Sequence, residues 1–140
     1  MNRKKDYLIL GVDFDGTVVT HEYPNVGQEI GAPPVLKQIV SSGHKLMLWT
    51  MRGSKPHNDK ETLKEAVEWF KKHDIPLWGV NSNPQQKSTG WSDSNKQHAN
   101  LYIDDAALGA PLKFDLELSP KPFIDWVRVE QMLKEYNIIK

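Results

Sequence analysis

The stretch LILGVDFDGTVV, Leu8 to Val19, sets two carboxylates, Asp13 and Asp15, at the end of a run that otherwise reads as a buried strand. Tyr7 to Val12 is almost entirely apolar, the pattern of a strand covered on both faces in a parallel sheet. Side chains two apart on a strand project to the same side, so Asp13 and Asp15 are expected to project together. Two anions held close at the end of a buried strand repel: either one keeps a proton with a raised pKa, or a cation sits between them. Gly16 can take a positive φ, and Thr17 adds a hydroxyl beside exposed backbone N–H groups, which suits a turn around an anionic ligand. Taken alone, the same residues also fit a plain turn with an Asx cap.

The elements that must position these groups follow in order. Pro33 to Gly43 reads as a short helix with Val35, Leu36, Ile39 and Val40 on one side, proline opening it and glycine closing it. Lys45 to Thr50, KLMLWT, is a second buried strand. Asn58 to Lys72 carries a capping-box pattern, Asn58 with Glu61, and an apolar stripe at Leu63, Ala66, Val67 and Phe70. Ile75 to Asn81 supplies a third strand, and Asn100 to Pro111 contains a fourth that runs into Asp104 and Asp105. Lys113 to Leu118 alternates enough for a fifth, edge strand, and Phe123 to Tyr136 is a closing amphipathic helix with Ile124, Val127, Met132 and Leu133 toward the sheet. His21 to Pro34 and Asn81 to Ser94, rich in Gly, Pro, Ser or Asn, are loops. Short buried strands alternating with helices predict an α/β fold: one Rossmann-like three-layer domain over residues 1–140, with a mostly parallel sheet of about five strands and helices on both faces.

In such a sheet, ligands bind in the crevice at the carboxyl ends of the strands. Strand one ends in Asp13 and Asp15, strand two in Thr50 with Arg52 just beyond, and strand four in Asp104 and Asp105. Each alone is an ordinary polar strand end; their placement on three strand ends of one rim points to a site.

With 39% hydrophobic and 26% charged residues and a formal charge of zero, the composition is that of an ordinary globular protein without the broad positive field of a non-specific nucleic-acid binder. The chain has no cysteine, which excludes disulfides, thiolate zinc sites and cysteine nucleophiles and suits a reducing cytoplasm. The basic Met1–Lys5 stretch is followed by an apolar run too short for a signal h-region or a membrane span. The five histidines show no ligand spacing and read as surface or loop residues.

Asp13-x-Asp15-Gly16-Thr17-Val18, a hydrophobic strand ending in Thr50, an upstream lysine and a strand ending in Asp104-Asp105 resemble, in order, the four motifs of the haloacid dehalogenase (HAD) superfamily. The resemblance spans Leu8 to about Leu108. It implies a phosphatase in which Asp13 is the nucleophile that forms an aspartyl-phosphate, and Asp15 protonates the leaving oxygen and then deprotonates the attacking water. It further implies Thr50 on the phosphoryl oxygens and Gly16 and Thr17 at the substrate. Mg²⁺ would be held by Asp13, the backbone carbonyl of Asp15, and Asp104, Asp105 or both, since all-oxygen ligation beside phosphate favours that ion. For the motif lysine, Lys96, eight residues before Asp104 in what resembles a short helix, is preferred to Lys87; Gln97 stands where family members often have proline. The planar fork of Arg52 suits a phosphate or substrate contact.

Val18 to Pro33 and Gly53 to Asn81 leave no room for the cap domain that most members carry, so the chain resembles the compact capless type. Such a site takes its specificity from its own loops, with Trp91 as a candidate contact, from a neighbouring copy in a homo-oligomer, or from the size of a bulky phosphorylated substrate. The reading favours a small phosphorylated molecule with oligomeric closure and no membrane partner. The alternatives are a nucleotidase or phosphotransferase of the same chemistry, and a non-catalytic phosphate-binding or receiver-like module.

Overall fold

Four short runs of apolar sequence pair in parallel: β1 (Ile9–Val12), β2 (Lys45–Leu48), β3 (Gly79–Val80) and β4 (Leu101–Ile103) form one sheet in the order β3-β2-β1-β4. The structure, a computed structural model, describes residues 6–140; the basic stretch Met1–Lys5 lies outside the described residues. Helices α1 (Ala32–Ser41), α2 (Thr62–Lys72) and α3 (Trp126–Glu135) flank the sheet. A two-stranded antiparallel ribbon, β5 (Leu112–Lys113) with β6 (Phe123–Ile124), stands apart from it. No helix among the described residues is long and apolar enough to cross a membrane.

The predicted α/β architecture with its mostly parallel sheet is thus the observed one, and the differences lie in the details. The sheet has four strands, and the expected edge strand Lys113–Leu118 is confined to Lys113. Asp115 captures the backbone that follows it: its carbonyl accepts from the N–H groups of Leu118 and Ser119, and its side chain from that of Glu117. An Asx turn here wins over residue alternation. The third strand is shortened to two residues because Pro76 brings no N–H to the ladder, and pairing starts where the Trp78 N–H reaches the Leu46 carbonyl.

Two helix boundaries also move. The expected Asn58–Glu61 capping box does not form: Asn58 and Asp59 both take positive φ in a tight turn closed by reciprocal hydrogen bonds between His57 and Lys60, so α2 begins only at Thr62. Asn and Asp tolerate that left-handed geometry better than most residues, and the turn outcompetes the helix. At the carboxyl end, Phe123 and Ile124 are drawn into the ribbon, and Asp125 caps α3 by accepting from the Val127 and Arg128 N–H groups. The buried stripe is therefore Trp126, Val129 and Leu133, while Val127, expected to face the sheet, is 71% exposed.

Strand alternation sorts the sheet into two faces. Leu10, Val12, Leu46, Leu48, Leu101 and Ile103 join the principal core with the apolar residues of all three helices. The other face carries Ile9, Met47, Trp49, Trp78 and Tyr102. Its third layer is built by the loop 81–100 instead of a helix, since that segment is polar, contains Pro84 and Gly90, and has no apolar stripe at helical spacing. Buried amides hold this layer: Asn83 and Gln86 bond the backbone of residues 91–98. Gly11 of β1 leaves the space in which the Tyr102 ring lies, for a Cβ there would stand 2.8 Å from a ring carbon.

The loop after β1 is pinned to α3 by the indole N–H of Trp126, which donates to the buried Thr17 carbonyl at 2.7 Å. Trp126→Phe leaves that carbonyl without a partner and should lower the unfolding free energy by about 1–3 kcal/mol. Urea denaturation checks this; an unchanged midpoint would show that the tie carries no weight.

Candidate functional site

The connections β1 to β2 and β2 to β3 build the sheet outward on one side, and β4 is then added on the other side of β1. The order reverses between β1 and β4, and the carboxyl ends of these two strands carry Asp13 and Asp104-Asp105. This is the topological switch point, where open α/β sheets place their ligands. The Asp13 N–H still bonds the Ile103 carbonyl, so Asp13 sits on the last rung of the ladder.

Asp13, Asp104 and Asp105 each bring a carboxylate oxygen to within 4.8 Å of the others. Thr17, fully buried, ties the group together: its hydroxyl lies 3.0 Å from Asp13 Oδ2 and 3.1 Å from Asp105 Oδ1, and its oxygen accepts the Asp105 N–H. One hydroxyl carries one proton and can donate to only one of the two carboxylates. The other side-chain partner of the cluster is His21, whose Nε2 lies 2.8 Å from Asp105 Oδ2, so the one carboxylate of the three that also meets a group able to carry positive charge is Asp105. Burial pushes the Asp13 carboxyl up to about 8, with the Asp104 charge and the contact with Asp105 adding to the rise, while the Phe14 N–H and the Thr17 hydroxyl pull the other way. Three hard oxygen donors around one point are a group that could hold a metal ion.

The expectation that Asp13 and Asp15 share one space does not hold. After Asp13 the chain leaves strand geometry, Phe14 plunges into the core against Trp69 and Phe70, and Gly16 turns at φ +79°. Alternation ends with the strand, and the Asp15 carboxylate faces Arg52 instead. Arg52 Nε and Nη2 donate to its two oxygens at 2.8 and 2.7 Å. Arg52 is only 2% exposed, its guanidinium stands against the Phe14 and Tyr23 rings, and its remaining donors meet the carbonyls of Pro24, Asn25 and Thr62. The fork expected to hold a phosphate is thus occupied by protein groups. Thr17 likewise directs its hydroxyl to carboxylates, and Gly16 serves close approach: a Cβ there would lie 2.0 Å from His21 Nε2 and 2.6 Å from Asp105 Oδ2.

Thr50 is at the rim past β2, where its Oγ1 accepts the Arg52 N–H, leaving its own hydroxyl hydrogen free to donate. Asn81 clamps this turn, accepting from the Thr50 N–H and donating to the Arg52 carbonyl. Lys96 does not lie on a helix, because residues 94–100 are irregular. Its ammonium stands 5.8 Å from the centre of the Tyr102 ring. Tyr102 is on β4, two residues before Asp104 in sequence. Lys87 is exposed on the short 3-10 turn Gln86–Ser88. Among the described residues no lysine forms an ion pair with Asp13, Asp15, Asp104 or Asp105.

Two site residues escape sequence reasoning. His21, expected to be a plain loop residue, places Nε2 2.8 Å from Asp105 Oδ2 across 84 positions of chain. Asn81 has the positive φ common for Asn at a strand end, a weak signal at best.

A conserved protein from Bacteroides thetaiotaomicron has a solved structure that matches this fold with a TM-score of 0.72 and 32% sequence identity, over 94% of this chain and 93% of that one. This chain belongs to its family. The Bacteroides relative's description names no activity. No family model and no curated protein matches the sequence.

The raised pKa of Asp13 makes stability fall with pH when no metal is present. Below about pH 4 both folded and unfolded states hold the proton; from there to about 8 only the folded state does, so each step up in pH favours unfolding, and above 8 the slope ends. In chelator, the stability gain of Asp13→Asn over wild type should grow between pH 5 and 8 and then level off. A pH-independent difference would contradict the raised pKa.

Proposed function

We propose that the protein is a Mg²⁺-dependent phosphatase of the capless HAD type, hydrolysing phosphomonoesters through an aspartyl-phosphate at Asp13. The observation that carries this reading is the cluster of Asp13, Asp104 and Asp105 at the β1/β4 switch point, short of positive charge around a nucleophile that sits on the last rung of the sheet. The order of motifs along the sequence supports the same assignment.

In this mechanism, an Asp13 oxygen attacks phosphorus, the bond to the leaving oxygen breaks and that oxygen takes up a proton; the motif resemblance makes Asp15 its donor, which must then turn from the two-pronged Arg52 contact toward the leaving oxygen. Asp15 then takes a proton from water, the water oxygen attacks phosphorus, and the bond to Asp13 breaks to release phosphate. Asp13, Asp104 and Asp105 would hold the divalent ion, which when bound would neutralise charge on the carboxylates and the phosphoryl oxygens. The free hydroxyl hydrogen of Thr50 serves a phosphoryl oxygen. Lys96, whose ammonium stands over the Tyr102 ring two residues before Asp104, brings the cation that the transferring group requires. Arg52 acts as a positioning residue: its two-pronged grip fixes where Asp15 points and ties it to residues 24–25 and to the start of α2.

A screen of phosphorylated metabolites with the purified chain and Mg²⁺ should find turnover that Asp13→Asn abolishes while the fold persists. Lys96→Ala should cost on the order of 10²-fold in rate and Lys87→Ala little, as expected for a charge preorganised at the phosphoryl group. Near-normal turnover by Asp13→Asn would remove the covalent mechanism.

A further inference from the structure

His21 enters the carboxylate cluster from the loop that follows β1. Its Nε2 lies 2.8 Å from Asp105 Oδ2, the one hydrogen bond of the ring among the described residues. An ionised carboxylate offers only acceptors, so Nε2 carries the hydrogen whether or not Nδ1 carries one too. The ring fills the space beside Gly16, where a Cβ would stand 2.0 Å from Nε2 and 2.3 Å from Cε1. On its other oxygen, Oδ1, Asp105 lies 3.1 Å from the Thr17 hydroxyl, whose oxygen accepts the Asp105 N–H. Asp105 is therefore gripped at both carboxylate oxygens and at its amide by residues 17 and 21. A carboxylate has about four lone-pair sites, so two bonds leave room for an ion.

The backbone that carries His21 is itself fastened. The Thr20 N–H bonds the Gln28 carbonyl and the Gln28 N–H bonds the Thr20 hydroxyl oxygen, which closes the intervening loop at its base. Gly27 lies against the Thr20 carbonyl, 2.0 Å from where its Cβ would be. Farther along the same loop, the carbonyls of Pro24 and Asn25 accept from Arg52, which holds Asp15. One loop thus reaches the cluster through His21 and the Asp15 pair through Arg52.

We infer that His21 is a positioning residue of the metal site: by donating from Nε2 it holds the Asp105 carboxylate in the orientation in which it meets Asp13 and Asp104 around one point. The inference rests on the metal reading within the proposed phosphatase and adds a residue that the four motifs leave unassigned. Without the imidazole, Asp105 keeps only the Thr17 side of its grip, and repulsion from the neighbouring carboxylates favours rotation of the freed oxygen away from them. An ion must then reorder the carboxylate as it binds, and loss of such an outer-sphere partner costs about ten- to a hundredfold in metal affinity.

Calorimetric titration of the full chain with Mg²⁺ at pH 7 compares wild type, His21→Leu and His21→Gln. Leucine keeps apolar bulk beside Gly16 and has no donor; the glutamine amide nitrogen stands roughly where Nε2 does and donates in its place. His21→Leu should bind Mg²⁺ about ten- to a hundredfold more weakly, and His21→Gln should recover most of that loss. In chelator the urea midpoints of the three chains should lie close together, because the difference belongs to the metal-bound state. Equal affinities in wild type and His21→Leu, or a loss that His21→Gln does not repair, overturns the inference. A chelator-state midpoint lowered alike in both variants makes the ring a structural prop and overturns it as well. Absence of Mg²⁺ binding by the wild-type chain sinks the metal reading together with this inference, whereas saturable wild-type binding that His21→Leu leaves unchanged sinks the role of His21 alone.

Discussion

Everything at the rim of this sheet is arranged around a shortage of positive charge. Asp13, Asp104 and Asp105 crowd into one partly buried space, where the Thr17 hydroxyl, the His21 ring and single backbone N–H groups meet them. Like charges at such range in a partly desolvated setting cost several kcal/mol unless something neutralises them. In the protein alone, Asp13 answers by retaining its proton to an unusually high pH. A divalent cation would answer the same need while leaving the carboxylate ionised, the form that the proposed nucleophile requires. The turn Asp13–Thr17 is built to maintain the crowding: Phe14 anchors it in the core, Trp126 holds the Thr17 carbonyl, and the Gly16 position has no room for a side chain.

Asp15 is treated differently from its neighbour two residues away. It has a complete counter-charge in Arg52, whose donors are all engaged in the protein interior. Removing one partner of such a buried pair leaves the other uncompensated, so Arg52 is a structural hub as well as a positioning group. It links the first strand, the loop at residues 24–25 and the start of α2 into one unit. Two carboxylates of one short motif are thereby placed in separate electrostatic environments, which is how one site assigns different tasks to chemically identical groups.

The strands were legible because buried parallel strands are short, continuous apolar runs, and the carboxylates at their ends stood out against that background. The switch-point grouping of Asp13 with Asp104 and Asp105 followed from the order of elements. The division between Asp13 and Asp15 was not legible: the two-residue alternation that predicted a shared direction applies only within a strand, and β1 ends at Val12, before both carboxylates. Arg52 read as a phosphate fork because its chemistry suits one, and nothing local announced that carbonyls from residues 24, 25 and 62 would fill its donors. His21 meets Asp105 only through tertiary folding. The loop expected over Asn81 to Ser94 extends to residue 100, the short helix expected around Lys96 being absent, and the buried amides of Asn83 and Gln86 satisfy backbone groups there.

A divalent cation that replaces the Asp13 proton at the carboxylate cluster would couple metal binding to proton release. Calorimetric titration of the wild-type chain with Mg²⁺ at pH 7, in buffers of differing protonation enthalpy, measures both the stoichiometry and the protons exchanged. The account predicts one ion bound per chain with release of close to one proton, the release fading as the pH is raised past about 8 and vanishing in Asp13→Asn. Absence of saturable binding, or binding with no proton released at pH 7, would contradict it.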